Sequence, residues 1–307
     1  MAAALSCGSL ERSRQQRTMN RVIGGVPPMG DVIPRSAVAV PLMRDTRHSV
    51  PVVLASVNGG PAFPLVLDTG GNHTMISARR ANASSIGTIF GTGHITTAFG
   101  NRERSQLAVA KQLQLGRLSL HGVPLLIHHF QSTGPLEGLG ADLNVLGTPA
   151  MSAFSYITFD YQAQRVTFAF QGRFRPLRSD ALRLPMQVEP DGHLSVKISL
   201  AKRPLRAIVD TGYDGVLLLS PGRVQKLGFG TAARKGMSVR AIGPGASTEG
   251  QVFLLPGMEL GGRFFPHVEA WTGGIEDSVL IGSGLLRFFR ATFDFQRMVL
   301  WLEPREG

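Results

Sequence analysis

Leu194, Val196, Ile198 and Leu200 take every second position of one short segment, the alternation of a strand buried on one face. A turn at Ala201 to Pro204 and an aliphatic run from Leu205 to Val209 follow, so this stretch predicts a hairpin. The same design stands earlier in the chain. There Val52, Val53 and Leu54 lead on to Val57, the turn Asn58-Gly59-Gly60-Pro61 reverses direction, and Phe63 to Leu67 returns. Helical signals are short and few. Ser77 to Ala83 and Ser220 to Leu227 each read as a short helix behind a Ser cap, and Thr148-Pro149 reads as N-cap and first helical residue before Ala150 to Phe154. Phe159 to Phe168 and Phe293 to Leu302 read as closing strands.

These elements occur twice, in the same order. Residues 145–162 read VLGTPAMSAFSYITFDYQ and residues 280–296 read LIGSGLLRFFRATFDFQ: two aliphatics and a Gly, a small hydroxyl residue, then Thr-Phe-Asp-aromatic-Gln. Upstream, PLVLDTGGNHTMIS (64–77) matches PLRAIVDTGYDGVLLLS (204–220). The two Asp-Thr-Gly motifs begin at Asp68 and Asp210, 142 residues apart. Such a repeat predicts two similar lobes, mostly β with a few short helices, and 307 residues suffice for both. The boundaries expected are an N-terminal arm over 1–35, a first lobe over 36–172, a linker over 173–190 that is rich in proline, and a second lobe over 191–307.

Composition narrows the function classes. Hydrophobic residues make up 43% and charged ones 17%, enough apolar material for packed cores. The net charge of +11 comes from scattered single residues, only five of them lysine, with no run of like charges and no aromatic interleaving, so nucleic acid is not the expected partner. A single cysteine, Cys7, excludes an intrachain disulfide and a cysteine-based metal site. No apolar run approaches the roughly 18–20 residues of a transmembrane helix. Ala2 to Cys7 falls short of a signal-peptide core, so location stays open, with the periplasm or exterior favoured over the cytoplasm.

Asp-Thr-Gly in one copy is explained by a tight turn, with Asp capping it and Gly supplying positive φ. Two copies related by a pseudo-dyad would instead bring Asp68 and Asp210 together where the lobes meet. Like charges that close share one proton, and the pair titrates as a unit. That arrangement suits peptide hydrolysis without a metal or other cofactor. The ionised carboxylate takes a proton from water while its protonated partner donates to the carbonyl oxygen. The hydroxyls of Thr69 and Thr211 can bond across the dyad, and Gly70 and Gly212 let backbone amides approach the carboxylates.

On these residues the chain resembles the aspartic peptidases of the pepsin and retropepsin group, over about residues 50–303. Each half is similar to a retropepsin subunit, and the joining of both halves on one chain is similar to pepsin. The resemblance implies a bilobal acid-protease fold, a monomer with an internal pseudo-dimer, a peptide or protein substrate, and Asp68 and Asp210 as catalytic residues. It also implies that Val145-Leu146-Gly147 and Leu280-Ile281-Gly282 thread beneath the two loops. Pepsins carry Ser or Thr directly after Asp-Thr-Gly and retropepsins usually Ala, whereas Gly71 and Tyr213 stand there in this chain. Tyr213 is expected to line the cleft. Flap candidates are the glycine-bearing hairpins at Gly91, Gly93 and His94 and at Ile242, Gly243 and Gly245. Two other readings compete: a peptide-binding module that keeps the fold without turnover, and an interaction protein that uses the basic arm.

Other chemistries find no support. The eight histidines are dispersed without a His-Glu-x-x-His motif, and His73, five residues beyond Asp68, reads as structural. There is no Gly-x-Ser-x-Gly elbow, and no Gly-rich dinucleotide loop in a βαβ setting.

Overall fold

A computed structural model describes residues 32–33, 37–43, 49–86, 89–96, 102–129, 142–243, 246–273 and 277–305. Among the described residues strands far outnumber helices, and the longest described helices, Ala78–Ala83 and Pro221–Lys226, have six residues each, so sheet packing decides the architecture. Among the described residues no helix is long and apolar enough to cross a membrane.

Three sheets build the molecule. The first has eight strands in the order Val32–Ile33, Leu118–His128, Met75–Ser77, Val145–Gly147, Phe63–Asp68, Val52–Val57, Arg102–Leu115 and Ile89–Thr96. The second lobe has eight in the order Gln187–Val188, Leu194–Leu200, Arg203–Asp210, Val279–Gly282, Leu217–Leu219, Arg263–Thr272, Ala246–Leu260 and Met237–Gly243. Between them lies a six-stranded sheet: Leu182–Pro185, Val299–Pro304, Phe289–Asp294, Tyr156–Asp160, Arg165–Ala169 and Val38–Pro41.

The repeat pairs with itself at the centre of this third sheet. Tyr156–Asp160 runs antiparallel to Phe289–Asp294 in the register Thr158↔Thr292, so the two Thr-Phe-Asp motifs face each other. The threonine hydroxyls are 2.9 Å apart, both fully buried, and the Phe159 and Phe293 rings meet edge to face at 5.7 Å. Both faces of these strands are buried: Ile157 and Phe159, with Ala291 and Phe293, belong to the hydrophobic core, and the intervening Thr158 and Thr292 are covered on the other side.

Several expectations change in detail. The closing strands are each a hairpin, Tyr156–Asp160 with Arg165–Ala169 and Phe289–Asp294 with Val299–Pro304. Their turns carry no Gly or Pro, and their left-handed positions are filled by Gln164 (φ 48°) and Met298 (φ 52°), so the reversal is silent in the sequence. The second-lobe hairpin turns at Ala201 (φ 49°) and Lys202 (φ 62°) alone, so its return strand begins at Arg203, two residues before the expected Leu205; the first lobe turns at the expected Asn58 (φ 50°) and Gly59 (φ 73°). Within 173–190, Leu182–Pro185 is an edge strand of the central sheet and Gln187–Val188 joins the second lobe, so this connection is itself paired. Of the N-terminal arm, Val32–Ile33 pair with Leu120 and Ser119; residues 1–31, Cys7 included, lie outside the described residues.

Candidate active site

Each Asp-Thr-Gly sits where a hairpin's return strand ends, and each is braced from beside by the repeat's second block. In the first lobe Leu67 pairs with Leu146 and Asp68 with Gly147, in parallel. In the second, Val209 pairs with Ile281 and Asp210 with Gly282, again in parallel. The apolar side chains of Leu67, Leu146, Val209 and Ile281 are buried, which anchors the strand ends and leaves the loops after them free to leave the sheet.

Past the aspartates the two loops exchange bonds. Thr69 N–H donates to Thr211 Oγ1 (2.9 Å), and Thr211 N–H donates to Thr69 Oγ1 (3.0 Å). Each hydroxyl also donates to the strand opposite: Thr69 Oγ1 to the Val209 carbonyl (2.7 Å) and Thr211 Oγ1 to the Leu67 carbonyl (2.6 Å). All four bonds are buried and cross between the repeats. Each hydroxyl serves as donor and acceptor at once, using its single proton and one of its two lone pairs.

The two carboxyls lie beside these threonine bonds, each close against the glycine of the other's loop. Gly70 N–H donates to Asp68 Oδ1 (2.8 Å); Gly212 N–H (2.8 Å) and Tyr213 N–H (3.1 Å) donate to Asp210 Oδ1. The glycines also pack crosswise. A Cβ on Gly212 would fall 2.6 Å from Asp68 Cγ, and one on Gly70 would overlap the Asp210 carboxyl. Gly212→Ala is therefore expected to push Asp68 off its partner and lower kcat by about 10²-fold or more while the chain still folds, checked by peptide hydrolysis beside circular dichroism. Full activity in that variant would show that the carboxyl can move without cost.

Burial raises both carboxyl pKa values above the ordinary range. On Asp210 the charge of Asp68 adds to burial and pushes it well above. On Asp68 the bond from Asp210 works the other way, as does the nearby His193 imidazole. The two carboxyls therefore titrate as one coupled pair that holds a shared proton above the ordinary carboxyl range.

The other predicted residues fall as follows. Tyr213 lies over the backbone of Gly215 and Gly282, its ring 6.5 Å from that of Trp271, and burial pushes its hydroxyl pKa upward. His73 is partly buried, which lowers its pKa to about 4 and keeps it neutral. Gly91, Gly93 and His94 lie on the edge strand Ile89–Thr96, paired with Leu107, Ser105 and Arg104, with a bulge between Ile89 and Gly91. Ile242 and Gly243 end the corresponding edge strand of the second lobe, opposite Ser247 and Ala246. Gly245 lies outside the described residues, as do the side chains of His94 and Ile242.

Two site residues escaped the sequence reading. Thr148 does not cap a helix; Gly147 occupies the cap position without a side-chain bond, and Thr148 Oγ1 donates to the Thr69 carbonyl (2.8 Å). Ser283 Oγ donates in the same way to the Thr211 carbonyl (2.7 Å). The signal was present in the repeat as a small hydroxyl residue after each Gly, and Pro149 drew it towards a capping role.

With this geometry in place, the comparisons with known proteins agree. Residues 53–150 match the sequence model of the aspartyl protease family. An aspartic proteinase from Irpex lacteus superimposes with a TM-score of 0.59 at 13% identity, over 88% of this chain and 98% of its own. The fold is that of the pepsin-like aspartic peptidases. Basic 7S globulin from soybean shares it, with a TM-score of 0.55 at 12% identity over 88% of this chain and 95% of its own. No curated protein matches the chain in sequence. Within the aspartic peptidase fold the family pattern falls on the first lobe, and the second lobe carries its counterpart in the repeat of Asp-Thr-Gly and of the two aliphatics and Gly.

Proposed function

We propose that this chain is an aspartic endopeptidase that hydrolyses peptide bonds with water activated between Asp68 and Asp210. The observation that carries the reading is the pair of carboxyls brought together at the seam of the two repeats, each bonded by its own loop's glycine amide and close against the other loop's glycine. Asp68 is the base: as carboxylate it takes a proton from water, whose oxygen attacks the scissile carbonyl carbon. Asp210 is the acid and gives its proton to the carbonyl oxygen, which leaves a neutral tetrahedral diol. Collapse returns one hydroxyl proton to the dyad as the carbonyl re-forms, and the leaving nitrogen takes a proton as the C–N bond breaks.

The backbone amides of Gly70, Gly212 and Tyr213 hold the carboxyls in one orientation through both steps, so the dyad needs no reorganisation. The substrate class fits an extended peptide paired along the glycine-bearing edge strands.

The test is a mixed peptide library. Cleavage is expected, with a bell-shaped pH profile. It should be blocked by a peptide mimic bearing a hydroxyl in place of the scissile carbonyl and be indifferent to chelators and serine-directed reagents. Inhibition by a chelator would overturn the metal-free mechanism. A second reading, peptide binding without turnover, is favoured by Gly71 and Tyr213, which put no small hydroxyl after either Asp-Thr-Gly. Peptides that bind tightly and are recovered uncut would establish it.

A further inference from the structure

Beyond the threonines, a second pair of contacts crosses between the repeats. Asn72 stands four residues past Asp68, and its Nδ2 donates to the backbone carbonyl of Asp191 (2.8 Å). Asp214 stands four residues past Asp210, and its Oδ1 accepts from the backbone N–H of Ser49. Asn72 and Asp214 are 142 residues apart, and so are Ser49 and Asp191, the spacing of the catalytic motifs themselves. Ser49 and Asp191 each lie three residues ahead of their lobe's first hairpin strand, Val52–Val57 and Leu194–Leu200. The contacts are thus the same contact made twice, once in each direction across the seam.

Their chemistry has diverged. One side chain is neutral and donates to a carbonyl; the other is a carboxylate and accepts from an amide. Both receiving segments are held in place. The Asp191 carbonyl is presented by a turn in which Gly192 N–H bonds the Glu189 carbonyl (2.9 Å) and His193 N–H bonds Asp191 Oδ1 (3.1 Å). Ser49 is fixed a second time from the other lobe by Arg287 Nη1, which donates to its Oγ (3.0 Å).

Resting on the dyad reading above, we infer that Asn72 and Asp214 are positioning residues, a duplicated latch that registers each aspartate loop against the opposite lobe and sets the spacing of the two carboxyls. The threonine bonds fix the loops at their roots, and the latches fix them at their far ends, so that the intervening Gly70 and Gly212 stay pressed against the partner carboxyls. Without a latch a loop pivots about its threonine. The two carboxyls then separate, Asp210 loses the repulsion and the burial that hold its proton, and the proton leaves at lower pH.

The test compares Asn72→Ala, Asp214→Ala and Asp214→Asn with the wild type. Kinetics and carbon-13 carboxyl titration of aspartate-labelled protein are measured on each. The other titratable groups that act on the dyad or face its loops are His193, which lies near Asp68 and is paired with Asp191, and Tyr213, which feels Asp210, Asp214 and Glu269. Asp214→Ala removes a charge as well as a latch, so the neutral Asn72→Ala is decisive, and Asp214→Asn controls for charge.

For Asn72→Ala we expect kcat to fall about tenfold or more with KM little changed, and the later of the two carboxyl titrations to move down by about half a unit or more. Unmoved titrations with wild-type kcat overturn the inference, and so does a lowered melting temperature as the only effect. If the wild type cleaves no peptide, the functional reading fails, while the carboxyl titrations still decide the latch.

Discussion

Asp68→Asn and Asp210→Asn are each expected to lower kcat by about 10³-fold or more with the fold intact, because each removes one half of the proton exchange. The two variants differ in their stability. Asp210 has a folded pKa raised well above that of the unfolded chain, chiefly by burial and then by the charge of Asp68. The native state therefore binds the extra proton, and the stability this contributes is full below the unfolded value and is lost as pH rises through the folded one. Wild-type stability should decline across that window, and Asp210→Asn, which cannot ionise, should flatten the decline. Urea unfolding at a series of pH values reads this directly. Turnover near wild type in either variant would refute the dyad, and an unchanged stability profile in Asp210→Asn would refute the raised pKa.

The second large effect falls on the buried threonines. Thr211→Val keeps the volume and removes a hydroxyl that accepts from Thr69 N–H and donates to the Leu67 carbonyl. Two buried backbone groups then go unpaired at roughly 1–3 kcal/mol each, so the folded state should lose about 2–5 kcal/mol. Thr211→Ser restores both bonds and should recover most of the loss. Denaturant midpoints measured at constant slope separate these outcomes. A loss below about 0.5 kcal/mol would show that the seam is held by the apolar strands beneath the loops instead.

Most of the architecture could be read from the chain because it is written twice. A single Asp-Thr-Gly is an ordinary turn, whereas Asp68 and Asp210 at matching places in a long repeat have no local reason to coincide. The placing of Leu146 and Ile281 against the two loops is instead what the resemblance to the acid proteases implies, and both pair in parallel with the strands that end in the aspartates. What stayed hidden falls into two physical kinds. Left-handed positions taken by Ala201, Lys202, Gln164 and Met298 carry no turn signal, because tertiary packing overrides the preference for Gly or Asn there. Side chains whose partners are distant backbone groups, such as Asn72 and Asp214, carry no signal either, because any residue type supplies a carbonyl or an amide. A third case mixes both kinds. The Tyr213 ring rests on Gly215 and Gly282, two residues whose missing side chains make its place.

The self-pairing of Thr158 with Thr292 gives the molecule an isologous seam inside one polypeptide. Such a join places each half's motif against its own counterpart, as an interface between two identical subunits would. Because both faces are tethered, their mutual effective concentration is set by the chain and not by the amount of protein present. A two-subunit version of this seam would fall apart on dilution, whereas this one stays whole down to a single molecule. The tether also lifts the demand that the faces be identical, which left Asn72 and Asp214, and Gly71 and Tyr213, free to drift into different chemistries on the two sides of one cleft.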